Sequence, residues 1–188
     1  MNIVTLETQR LILRQWQADD NIAFASLNAD PEVMEYYPST LTETQSHAFA
    51  DKVKNLMAQR GWGFWAIELK ETHHFIGFVG LHKPEITLPF TPCVEIGWRL
   101  ARTHWGRGYV TEAGQEILRF GFEKLLLTEI VSFTAIINQR SERVMQRLGM
   151  INTQQNFNHP NIIAGDRLQE HILYKITQQQ WCDYAETD

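Results

Sequence analysis

The chain has 188 residues, 44% hydrophobic and 21% charged, the balance of a folded domain with a core rather than of a disordered segment. Seventeen Lys and Arg against twenty-two Asp and Glu give a net charge of -5, so the basic excess of a nucleic-acid binder is absent. Two cysteines, Cys93 and Cys182, are too few for a disulfide framework or a cysteine metal cluster, which points to a reducing compartment.

No apolar run reaches the length of a membrane span, and the opening MNIVTLETQR has no basic segment leading into an apolar one. A cytoplasmic protein without a membrane or nucleic-acid partner is expected. No repeat or Pro/Gly/Ser linker interrupts the sequence, so residues 1–188 are read as one domain.

Residues 11–16 read as a strand. Asp19 and Asp20 then offer an N-cap for a helix to about Leu27, which Asp30 and Pro31 end, and residues 31–37 allow a further turn. Thr42 followed by Gln45 has capping-box spacing, and Phe49, Val53, Leu56 and Met57 recur at helical intervals up to Gly61. The period then changes. Residues 62–69 and 75–81 alternate around the turn 71–74, the pattern of a hairpin.

Pro84, Pro89 and Pro92 mark a loop before a strand at 94–100. A helix at 111–124 carries Ala113, Ile117, Gly121 and Leu125 on one stripe. Residues 130–137 form a β-branched strand and 139–148 a helix stopped by Gly149. Strands at 150–157 and 168–176 and a short helix at 178–184 close the chain. The order βααβββαβαββ implies a mixed α/β sheet with helices on its faces.

Chemistry concentrates between Leu100 and Ala113, a strand–loop–helix passage through Thr103-His104-Trp105-Gly106-Arg107-Gly108-Tyr109. Glycines one residue apart reach backbone torsions that other residues resist and let main-chain N–H groups crowd around an anion. The helix behind adds its unpaired N-terminal donors and the positive end of its dipole. Arg107 can add a charge-assisted contact. A tight turn without a ligand fits the same residues. A P-loop is excluded because no Gly-Lys-Ser/Thr follows, and a third glycine for the dinucleotide fingerprint is missing.

Farther along, Asn138-Gln-Arg-Ser141 opens a helix that ends in Arg147-Leu-Gly-Met150. Together with the loop this resembles motifs A and B of the GNAT N-acetyltransferases. Leu6-Glu-Thr-Gln-Arg-Leu-Ile-Leu-Arg14, Glu95-Ile-Gly-Trp-Arg-Leu100 and Trp105-Gly-Arg-Gly-Tyr-Val-Thr-Glu-Ala113 narrow it to the branch of the RimJ/RimL-like ribosomal-protein N-acetyltransferases. Asn156-Phe-Asn-His-Pro160 and His171-Ile-Leu-Tyr174 are also similar to many members. The resemblance covers nearly the whole chain in the family's order.

The resemblance implies a GNAT fold: a mixed, mostly antiparallel sheet of six to seven strands, splayed at the centre, with helices on both faces. It implies acetyl-CoA as cosubstrate, no metal, an amine acceptor (a protein N-terminus or a small amine), and a monomer or homodimer. The cofactor-binding residues it implies are Trp98, Leu100, Trp105, Gly106, Arg107, Gly108, Tyr109, Val110, Asn138 and Ser141, with a backbone N–H near Leu100 facing the oxyanion. Thr103 stands where the family usually has Gln or Arg. Met145 stands where a Tyr often protonates the thiolate, which leaves Ser141 as the hydroxyl for that task.

Acetyl transfer needs a neutral amine. Deprotonating a lysine at pH 7 costs about 4.6 kcal/mol, an α-amine only about 1.1 kcal/mol. Glu95 is the candidate base, with a surface-facing strand carboxylate or a salt-bridge partner as its plain alternative. Asn138 and Ser141 are equally suited to capping a helix.

Other features have ordinary readings. His73 and His74 point to opposite sides of a turn, and Cys93 suits a small buried position. Trp62, Phe64 and Trp65 divide between core and acceptor wall. Tyr36, Tyr37, Phe157 and His159 sit where the family builds its acceptor site. Glu32 and Glu35 can draw in a cationic amine, and Arg143 and Arg147 can approach the 3′-phosphate of CoA. A non-catalytic acyl-CoA-binding module and a nucleotide-binding domain of another fold remain alternatives.

Overall fold

The computed structural model describes residues 3–185. The chain divides into two compact units, Met1–Leu81 with Gly97–Glu116, and His82–Ile96 with Ile117–Asp188.

The first unit holds strands β1 (Leu6–Glu7), β2 (Leu11–Arg14), β3 (Phe64–Leu69) and most of β4 (Phe75–His82). β1, β2, β3 and β4 pair antiparallel in chain order. β4 neighbours β5 (Glu95–Leu100), whose last four residues belong to this unit. A Cβ at Gly77 would lie 2.2 Å from the Arg99 carbonyl oxygen, so glycine alone lets those two backbones approach as they do.

Two helices of this unit, α1 (Asp20–Ala29) and α2 (Glu43–Arg60), pack on each other. α2 opens on the expected capping box: Gln45 N–H donates to Thr42 Oγ1 (3.2 Å) and Thr42 N–H to Gln45 Oε1 (2.8 Å). It ends on left-handed Gly61. α1 starts differently from expectation. Asp19 makes no side-chain cap, because the carboxylate that matters is Asp20, which accepts from Gln17 N–H and takes both Nη groups of Arg14 at 2.8 and 2.9 Å. The helix also runs two residues past Leu27. Trp65, Phe24, Leu11, Leu13 and Met57 are fully buried, and rings of Trp16, Phe24, Phe49, Phe64 and Phe78 interlock around them.

The second unit is built on β9 (Glu170–Thr177), antiparallel to β6 (Glu129–Ala135) across seven register pairs. Two-residue strands β7 (Ile151–Asn152) and β8 (Phe157–Asn158) also pair antiparallel with β9. β5 enters this unit by a parallel pair, Glu95↔Val131, next to a 3.0 Å bond from Val131 N–H to Val94 O. α4 (Gln139–Arg147) lies against β6, and α5 (Gln178–Ala185) follows β9. The loop before β5 folds over one face: Leu88 joins Val131, Phe157 and Leu173 in a core patched by Ile86, Phe90, Cys93 and Phe133.

A mostly antiparallel, open mixed sheet flanked by helices matches expectation, with differences of detail. Nine strands are present among the described residues rather than six or seven, because β1, β7 and β8 are two-residue pieces. The strand expected at 150–157 is broken: Thr153 turns its hydroxyl to the Leu173 carbonyl and Gln154 takes a left-handed conformation. Ile136 and Ile137, read as strand by β-propensity, are exposed past the end of β6, where the chain turns into Asn138. No described helix is long and apolar enough to cross a membrane.

Candidate active site

The glycine loop lies in the first unit. After β5 the chain makes a 3₁₀ turn, Arg102–His104, and reaches α3 (Tyr109–Glu123), which starts two residues before the expected helix. Gly106 and Gly108 take φ of 72° and 79°, torsions that disfavour a side chain. No atom lies within 4 Å of where a Gly106 Cβ would sit, so the space over that backbone is open. Gly106, Arg107 and Gly108 are exposed. A loop of accessible main-chain donors at the head of a 15-residue helix suits a diphosphate.

Two supports of this loop had no sequence signal. The Trp105 indole N–H donates to Leu100 O at 2.8 Å, tying the loop to the end of β5 and occupying one acceptor of that residue. Arg10, nearly a hundred residues away in sequence, lays its guanidinium over the Tyr109 ring at 4.5 Å and reaches within 3.5 Å of the Gly108 Cβ position. Glu112, one turn into α3, fixes Arg10: its Oε2 takes Arg10 Nε at 2.7 Å, and its Oε1 takes Arg10 N–H at 2.8 Å and the Thr8 hydroxyl at 2.5 Å. Burial alone would raise the Glu112 carboxyl, but the bonds from Thr8 and Arg10 outweigh it and hold it below its ordinary value. Only the pairing of β1 and β2 beside this helix start makes those partners neighbours.

His104, half-buried, has its imidazole pKa lowered by burial and by Arg107 and His74. Trp98 is half-buried in β5, Val110 half-buried in the first turn of α3, and Thr103 exposed. Arg99 is buried, donating to Asn28 Oδ1 at 2.5 Å with its guanidinium 4.2 Å from the Tyr37 ring. Glu32 accepts from Arg102, so its carboxylate is already engaged by a cation. Trp65 is core, its indole N–H bound to Val4 O at 2.7 Å, whereas Trp62 and Phe64 are half-buried.

The remaining candidates belong to the second unit. Glu95 opens β5, half-buried, and its carboxylate has no hydrogen bond or ion pair to any described residue. Desolvation pushes its carboxyl up to about 7, the range in which a carboxylate works as a base at neutral pH. Its neighbour Cys93 is pushed up to about 11 by burial and by Glu95 and Glu129, so it stays a neutral thiol. A cavity of about 690 Å³ opens beside Cys93 and Val94, with Ile86, Leu127 and Glu129 among its walls.

Asn138 caps α4 through its Oδ1, which takes Ser141 N–H at 3.2 Å. Both its amide protons are committed, to Thr134 Oγ1 at 2.9 Å and Ser141 Oγ at 3.1 Å. Accepting that bond leaves the Ser141 hydroxyl proton free to point elsewhere. Met145 is fully buried, a core side chain where a proton donor was sought. Phe157 is buried and His159 half-buried in one aromatic cluster, which His171 joins. His73 bonds Glu68 at 2.9 Å in its exposed turn, and no group of three metal-ligating residues exists among the described residues.

Comparison with known proteins gives the family. A family model described as "Acetyltransferase (GNAT) domain" matches residues 10–151. The chain is 29% identical to a Bacillus subtilis protein named uncharacterized N-acetyltransferase YnaD, over 94% of this chain and 98% of the relative. It is 29% identical to the FsC-acetyl coenzyme A-N(2)-transacetylase of Aspergillus fumigatus, over 94% of this chain and 77% of that one. Among solved structures, a GNAT-family acetyltransferase from Bacillus anthracis superposes with a TM-score of 0.79 at 25% identity, over 94% of this chain and 99% of the other.

Proposed function

The chain belongs to the GNAT acetyltransferase family, acetyl-CoA-dependent N-acetyltransferases, and we propose that it transfers the acetyl group directly to a primary amine within a ternary complex. The acceptor class is a protein N-terminus, as in the ribosomal-protein branch that the sequence motifs resemble, or a small amine. The observation that carries the reading is the open, positive-φ loop Gly106–Gly108 at the head of α3. Main-chain N–H groups of Gly106, Arg107, Gly108, Tyr109 and Val110 hold the diphosphate, and the cations Arg107 and Arg10 lie over it. The backbone of Trp98 and Leu100 receives the pantetheine arm, in the manner of an added strand. Trp105 keeps Leu100 in place.

Acetyl-CoA supplies an activated carbonyl and a thiolate leaving group; the chain supplies proton handling. Glu95 takes a proton from the bound ammonium, directly or through a water, and the neutral amine then attacks the thioester carbonyl, forming the amide bond as the C–S bond breaks. The raised pKa of Glu95 makes it a stronger base than an exposed carboxylate while leaving it about half ionised near pH 7. Ser141 hands its proton to the departing sulfur as its oxygen takes one back from solvent, and Asn138 acts on the site by orienting that hydroxyl. An α-amine fits this machinery better than a lysine, because its deprotonation demands about 3.5 kcal/mol less.

The test is CoA release, trapped as free thiol, with a panel of amines, read together with the mass of the products. Amine-dependent release with an acetylated product supports the transferase. Acetyl-CoA binding without amine-dependent release identifies an acyl-CoA-binding module and overturns it.

A further inference from the structure

One face of the second unit carries an aromatic and imidazole cluster that the transfer chemistry does not use. Phe133, His159 and His171 are half-buried there. The two imidazoles stack with centroids 4.9 Å apart and planes 34° apart, and the Phe133 ring lies 6.2 Å from each. Phe133 is two residues from Val131, the register partner of Glu95, so the alternation of strand side chains puts Glu95 and Phe133 on the same face.

The hydrogen bonds of the pair fix opposite tautomers. His171 Nδ1 faces Gln169 O at 3.3 Å, and a carbonyl only accepts, so Nδ1 carries the proton and Nε2 is an acceptor. His159 Nδ1 instead accepts Asn161 N–H at 3.3 Å, so its proton is on Nε2, which is a donor. The Gln169 carbonyl also takes His159 N–H at 2.8 Å and so locks both residues to one point of the backbone. Burial keeps both rings neutral at pH 7, lowering His171 to about 4 and His159 in the same direction. Neither Nε2 has a partner among the described residues, and neither is a sealed, unsatisfied atom.

Adjacent side chains thus present one donor and one acceptor above an apolar floor. The group that answers both is an amide, whose C=O accepts from His159 and whose N–H donates to His171. Resting on the acetyl-transfer reading, we propose that His159 and His171 bind a peptide group of the acceptor, so that the acetylated amine is the N-terminus of a peptide rather than a simple alkylamine. By register, the Cα atoms of Glu95 and His171 lie two strands and four residues apart, on the order of 16 Å, a gap that the two side chains and three to four residues of extended peptide span.

Trialaninamide and isopropylamine are compared as acceptors, with wild type and the variants His159→Asn, His171→Asn, His159→Gln and His171→Gln. Asn places its amide near the Nδ1 position and keeps the backbone contact; Gln reaches the Nε2 position and serves as rescue. Each Asn variant is expected to lower kcat/KM for trialaninamide by about three- to tenfold, the worth of one hydrogen bond, through KM. The loss on isopropylamine is expected to be clearly smaller than that on trialaninamide, and the Gln variants are expected to recover part of the peptide loss. Equal losses on both amines, or none on the peptide, overturn the proposal while the transferase reading stands.

Turnover of neither amine counts against the transferase reading and leaves binding to decide. Imidazole nitrogen NMR is expected to show opposite tautomers for His159 and His171, with both shifted by trialaninamide and neither by isopropylamine. Identical tautomers, or no shift with the peptide, overturn the proposal.

Discussion

The loop of the first unit and the Glu95 face of the second work with different kinds of group. At Gly106–Gly108 the functional atoms are main-chain N–H groups, and the side chains nearby, Trp105, Arg10 and Glu112, hold the loop in shape. At Glu95 a side chain is the functional group, and its usefulness comes from having no partner. A backbone site tolerates substitution of its side chains but not of its torsions. A side-chain site has the opposite sensitivity, and substitutions sort the two.

The largest effect is expected at Glu95. Glu95→Gln removes the base and lowers kcat by about 100-fold above pH 7, the lower end of what general-base catalysis contributes. The deficit shrinks as pH falls through 7, because the wild-type carboxyl then takes up its proton and loses its advantage. Stability moves the other way. A carboxyl whose folded pKa is raised from 4.5 to about 7 weakens the fold as pH rises through that window. The variant therefore melts higher than wild type at pH 8 and together with it at pH 4. A kcat profile without a limb near pH 7 removes Glu95 from the mechanism.

Gly106→Val comes next. A β-branched residue is strained at a φ of 72°. Acetyl-CoA affinity, measured by titration calorimetry, is expected to fall by about tenfold or more, since about 1–2 kcal/mol of torsional cost is met only when the loop holds its bound shape. The same torsional strain lowers the melting temperature by a few degrees, with no further loss from packing because nothing lies within 4 Å of the new Cβ. Unchanged affinity with full stability contradicts the main-chain cradle.

Trp105→Phe keeps the ring and deletes the 2.8 Å bond to Leu100 O, so an acetyl-CoA affinity loss of about three- to tenfold is expected. The smallest effect on the cofactor belongs to Asn138→Ala. Losing the α4 cap costs about 1 kcal/mol of stability in denaturant titration, while acetyl-CoA affinity stays within about threefold. A large affinity loss there makes Asn138 a ligand rather than a positioning residue.

The same contrast governs what the sequence reveals. The loop announces itself because glycines at 106 and 108 before an amphipathic helix are unusual in type and spacing, and the resemblance to a family rests on them. The capping box at Thr42 and the N-cap at Asn138 are legible for the same reason: each satisfies its helix within four residues. Arg10, Glu112 and the His159–His171 pair depend on contacts across 12 to 102 positions, which only strand register creates. Glu95 lies between. Its place on the strand is readable, but the absence of a partner and the raised pKa are properties of the packed face. The strand expected at 150–157 fails because Thr153 and Gln154 spend their groups on a turn, something local propensity does not register.

The most direct test of the main-chain cradle is an amide NMR titration of the protein with acetyl-CoA. The expected result is that the N–H signals of Gly106, Arg107, Gly108 and Tyr109 move first and farthest, saturating with a single stoichiometric equivalent. Saturable binding that leaves those four signals in place and moves another cluster of amides contradicts it.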